Sequence, residues 1–63
     1  MKAVQISELG INDKFRLQGE SITYIVDTIY SYNDVPNRLY VALYGKGLNH
    51  SIELKAHKIV LID

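Results

Sequence analysis

Apolar and polar residues alternate at period two along most of this chain, and turn-forming residues interrupt the alternation every dozen positions or fewer. That rhythm predicts short strands and argues against helices. Val4 and Ile6 set against Gln5 and Ser7 predict a short opening strand, and Leu9-Gly10-Ile11-Asn12-Asp13 supplies a turn. In that turn Asn12 is a residue type that tolerates positive φ, and Asp13 can bond the backbone just beyond it. Phe15 and Leu17 alternate with Lys14, Arg16 and Gln18, predicting a half-buried strand that Gly19-Glu20 turns into a hairpin.

Residues 21–31 form a long β-prone run with Ile22, Tyr24, Val26, Thr28 and Tyr30 on one face and Thr23, Ile25, Asp27 and Ile29 on the other. Both faces carry apolar groups, so a flat sheet would leave one of them wet. A bent strand that swaps its inward face near Asp27 or Thr28 through a bulge resolves this, and it is the geometry of a small barrel. The segment Tyr32-Asn33-Asp34-Val35-Pro36-Asn37 is a polar loop, because Pro36 cannot sit in a central strand.

Residues 38–44 alternate cleanly, and the pattern predicts Leu39, Val41 and Leu43 inward with Tyr40, Ala42 and Tyr44 outward. Gly45-Lys46-Gly47-Leu48-Asn49 reads as a hairpin loop. His50 to Leu54 then reads as a strand with Ile52 and Leu54 inward, Lys55-Ala56-His57 as one tight 3₁₀ turn, and Lys58-Ile59-Val60-Leu61-Ile62 as the last strand. The expected fold is all-β, five- or six-stranded and antiparallel, in one domain over residues 1–63. Its expected core is Phe15, Leu17, Ile22, Tyr24, Val26, Leu39, Val41, Leu43, Ile52, Leu54 and Ile59.

Length tightens this picture. A chain of 63 residues buries only about 60% of the surface it exposes when unfolded, and a core of this size rarely supplies more than roughly 3–5 kcal/mol. Cysteine is absent, so neither a disulfide nor a thiolate zinc site adds a staple. Seven Lys and Arg balance seven Asp and Glu, which removes the basic excess expected of a protein held to nucleic acid mainly through phosphates. The first residues carry no continuous apolar run and no segment is long and apolar enough to cross a bilayer, so a soluble, cytoplasmic protein without a membrane partner is expected.

The stretch Leu9-Gly10-Ile11-Asn12-Asp13-Lys14-Phe15 resembles the Leu-x-hydrophobic-Gly-Asp-x-hydrophobic approach to the first strand of SH3-like small β-barrels, with Asn12 in place of the usual glycine. With the hairpin that follows and the short turn before the last strand, the pattern spans nearly the whole chain and looks like the tiny SH3-like barrel proteins of bacteria and their phages. The resemblance implies a fold and a binding habit, and it carries no catalytic residue onto this sequence.

Candidate chemistry centres on tyrosine. Tyr30, Tyr32, Tyr40 and Tyr44 offer flat apolar rings with polar tips. If they face outward they suit a protein contact or a platform for stacked bases. The plainer reading is that they pad cross-strand pairs on the barrel surface. Arg38 and Lys46 are the cations set to meet phosphates beside them, within a wider set of Lys14, Arg16, Lys55 and Lys58 that interleaved acids break up.

His50 and His57 lie on different elements and lack the converging ligands a metal needs. His50-Ser51 has no nucleophile elbow, and Gly45-Lys46-Gly47 is too short for a phosphate-binding loop. No catalytic residue, cofactor, metal or small-molecule substrate is therefore expected. The leading expectation is a non-enzymatic adaptor or inhibitor that binds a protein, or a second copy of itself, through a strand edge and the tyrosine-bearing face. The alternative is a small barrel that binds RNA or DNA.

Overall fold

The structure is a computed structural model that describes residues 1–30 and 34–63. It is all-β. Six strands run in the order β1 (Lys2–Gln5), β2 (Lys14–Phe15), β3 (Tyr24–Tyr30), β4 (Leu39–Tyr44), β5 (His50–Lys55) and β6 (Ile59–Ile62), with 3₁₀ turns over Ile6–Glu8, Val35–Asn37 and Lys46–Leu48. Strands β2-β3-β4-β5 form one antiparallel sheet, and β1 pairs with β6 in a second. Arg16 and Leu61 join the two sheets by exchanging a pair of backbone hydrogen bonds of 2.9 and 2.8 Å.

The turn that leads into β2 shows why a left-handed residue is needed there. Asn12 adopts φ 77°, and its N–H donates to the Val26 carbonyl at 2.8 Å while the Val26 N–H donates to the Asp13 carbonyl at 2.9 Å. The turn is thus tied to the middle of β3. Asp13 reaches backward, not forward as the sequence suggested: its carboxylate accepts from the Gly10 N–H at 2.8 Å.

The register of β3 against β4 shifts between Val26 and Thr28, the bulge that two apolar faces in one strand demand. Before it Tyr24 and Val26 point inward. After it Ile29 packs against the core and Tyr30 is turned out.

The core consists of Val4, Ile6, Phe15, Tyr24, Val26, Tyr40, Ala42, Ala56 and Val60, with Leu17, Ile52 and Leu54 packed against it. Four expectations are corrected here. In β4 the faces are inverted, so Tyr40 and Ala42 are buried while Leu39, Val41 and Leu43 are only half-buried on the opposite side. Both faces of that strand are apolar, so alternation alone leaves its parity open. The register decides it, by setting Ala42 opposite the inward Val26 and Ile52.

In β6 the buried residue is Val60, paired with the inward Val4, and Ile59 faces solvent. Ile22 precedes β3 and is exposed. The turn before β6 is a single one, closed by the Lys58 N–H on the Lys55 carbonyl at 3.0 Å. The 3₁₀ turns lie elsewhere.

Candidate functional site

The tyrosines named from the sequence separate into different environments. Tyr40 is 1% exposed and belongs to the core. Tyr44 also turns inward, where it extends a row of rings: Phe15 and Tyr24 stack at 5.2 Å, Tyr24 and Tyr44 meet at 5.0 Å, and Tyr44 and His50 stack at 5.3 Å. Gly45 makes the last contact possible. It holds φ 88°, and a Cβ there would lie 2.7 Å from the His50 ring. Tyr30 is half-exposed at the end of β3, and Tyr32 lies outside the described residues. The expected outward face of Tyr40 and Tyr44 is therefore not formed, because both rings serve the interior.

Tyr24, inside this row, also makes a polar contact. Its ring is buried, but its hydroxyl donates to the exposed Glu20 carboxylate at 2.6 Å. That hydrogen bond, then burial of the ring, then the charges of Glu20 and Tyr44 push its pKa up from 10.0 to about 12. The folded state thus holds this proton more tightly than the unfolded chain does. The resulting stabilisation is complete below pH 10 and is lost as the pH rises from 10 toward 12. Urea midpoints followed across that range should fall. Glu20→Gln should bring one tyrosine's ionisation back toward 10, the ordinary value, as read from tyrosinate absorbance. An unchanged titration in that variant would mean that the carboxylate does not hold the phenol.

Inversion of β4 creates a surface that the sequence did not reveal. On the outer side of the larger sheet the cross-strand rows are Lys14, Ile25, Leu43 and Ser51, then Thr28, Val41 and Glu53, then Tyr30, Leu39 and Lys55. Ile25, Leu39, Val41 and Leu43 run down the middle of this face, none of them packs against the core, and Tyr30 lies at one end. Lys14, Ser51, Glu53 and Lys55 flank them at exposed positions on the two edge strands.

The two candidate cations lie at opposite ends of β4. Lys46 is exposed in the turn after it, beyond Tyr44. Arg38 immediately precedes β4 and closes the Val35–Asn37 turn, its N–H donating to the Val35 carbonyl at 3.1 Å. A six-residue strand separates them by roughly 20 Å, so they do not act on one ligand group. Arg16, another cation of the wider set, pairs with Asp63 at 2.9 Å.

Beside Arg38 the structure gathers residues that are scattered in the sequence. An open depression of about 410 Å³ is lined by Pro36, Asn37, Arg38, Leu39, Lys55 and His57. Leu39 and Lys55 face each other across β4 and β5, so the depression opens off the end of the apolar face. Comparison of the chain with protein-family models, with curated proteins and with solved structures finds no match.

Proposed function

We propose that this chain is a non-enzymatic binding module, an SH3-like barrel that engages a protein partner through the outer face of its β2-β3-β4-β5 sheet. The barrel reading is supported by the Arg16–Leu61 bridge that links the two sheets and by the resemblance of residues 9–15. The binding reading is carried by one observation. Ile25, Leu39, Val41 and Leu43 form an apolar stripe on the sheet side that points away from the core, with polar and charged residues at its borders. An apolar centre inside a polar rim is the anatomy of a protein contact. The partner is a second protein, for which this chain acts as adaptor or inhibitor, or another copy of the chain.

The reading as a nucleic-acid-binding barrel keeps one favourable observation, the basic side chains Arg38, Lys55 and His57 around the depression. It loses Tyr40 as a stacking ring, since bases need an exposed face.

An NMR titration of labelled protein with random single-stranded RNA and duplex DNA, at low salt and near physiological salt, separates the two. The protein-contact reading expects no saturable shifts on the sheet face with either nucleic acid. Shifts there that saturate and weaken steeply with salt would replace it with the nucleic-acid reading.

A further inference from the structure

The depression at the end of the outer face differs from other depressions formed by the described residues, whose linings include a carboxylate. Three cationic or protonatable side chains converge on it from different elements: Arg38 from the residue before β4, Lys55 from the end of β5 and His57 from the turn that follows. No carboxylate lines it, and none of the three makes an ion pair among the described residues. The nearby Asp34 carboxylate accepts from the Asn37 amide. Arg38 is half-buried, and its Nε is sequestered from solvent without a hydrogen-bond acceptor among the described residues. A charged donor out of water and without a partner is costly. The depression itself is lined by positive charge that no carboxylate among the described residues balances, a setting that favours an anion.

From this geometry we infer that Arg38, Lys55 and His57 form an anion subsite that takes a carboxylate from an acidic segment of the protein partner. The inference rests on the protein-contact reading in one respect, the source of the anion. Continuity decides that source. Leu39 and Lys55 belong both to the outer face and to the wall of the depression. A segment whose apolar side chains cover Val41 and Leu39 therefore carries its next residues onto the cations. Arg38 offers a planar fork suited to a carboxylate, and Lys55 adds a mobile point charge. The partner segment is thus apolar in one part and acidic in the part that follows.

The test uses the labelled full chain and two anion probes at matched ionic strength, an end-blocked hexaglutamate peptide and inorganic phosphate. Hexaglutamate is expected to move the Arg38 Nε–H signal and the Lys55 and His57 amides saturably, leaving Lys2, Lys14 and Lys46 in place. Lys55→Ser, at an exposed position that should not affect folding, is expected to weaken that binding about ten-fold, and His57→Ser is expected to weaken it further. Uniform small shifts at all lysines would overturn the subsite, and so would no shift with either probe. Phosphate binding more tightly than the peptide would overturn the carboxylate assignment and move the site to the nucleic-acid reading.

Repeating the peptide titration on Val41→Ser, which disrupts the apolar stripe without adding charge beside the subsite, separates this inference from the reading it rests on. Unchanged saturable binding in that variant keeps the subsite even if the apolar face proves to bind nothing. A face that binds protein while hexaglutamate moves nothing removes the subsite alone.

Discussion

Replacing Tyr40 by alanine should leave the chain without a cooperative unfolding transition at room temperature. The ring is 1% exposed at the second position of β4, facing Ile29 on one side and Leu54 on the other. Truncating a buried aromatic residue to alanine costs about 3–5 kcal/mol. A core of this size rarely contributes more than about the same amount, so the loss consumes the whole margin. Tyr40→Phe keeps the volume and should cost less than about 1.5 kcal/mol. Urea titrations followed by circular dichroism on both variants check this. A near-native midpoint for Tyr40→Ala would mean that the ring is not interior, and would return Leu39, Val41 and Leu43 to the core.

The second large effect is on binding. Val41→Lys should abolish association through the outer face, with affinity falling roughly 30-fold or more, because an interface centre typically loses at least 2 kcal/mol on truncation and a buried unpaired ammonium adds to that. Folding should hardly change. Val41 is half-buried on the side away from the core, opposite Thr28 on β3 and Glu53 on β5. A lysine there gains an opposite-charge cross-strand neighbour worth about 0.2–1 kcal/mol, which offsets its weaker strand propensity.

Sedimentation at rising protein concentration, paired with a urea midpoint, reads both quantities for self-association, and the same variant serves against any captured partner. Association that survives the substitution would remove the outer face as the interface. Collapse of the fold would show that Val41 is inside.

These two variants probe the place where sequence and structure part. The bulge at residue 27 was legible because apolar residues occupied both faces of one strand, and no straight strand can bury both. The left-handed Asn12 was legible from residue type and from its position in the turn. The parity of β4 was not, since Leu39-Tyr40-Val41-Ala42-Leu43-Tyr44 is apolar at every position and only its pairing with Val26 and Ile52 fixes which set turns inward.

The same ambiguity exchanged Ile59 for Val60, whose direction follows from its partner Val4. The tyrosines drew notice as a residue type, but their roles divide along strands whose register the sequence does not state. Arg38, Lys55 and His57 meet only because Leu39 pairs with Lys55. That contact joins positions too far apart for any local pattern to show.

The β1–β6 ribbon bears on how this fold responds to mechanical load. Its register sets Lys2 beside Ile62 and Gln5 beside Ile59, so Met1 and Asp63 leave from the same end of an antiparallel pair. Hydrogen bonds in such a pair lie across the strands. Tension applied at the two ends therefore pulls along those bonds and opens them one after another, like a zipper, where a shearing geometry would load them together. Pulled this way, the ribbon should peel from its Lys2–Ile62 end, where the Arg16–Leu61 bridge next to the first pair is loaded at the outset, so that the bridge and the first ribbon bonds yield together before the larger sheet comes apart.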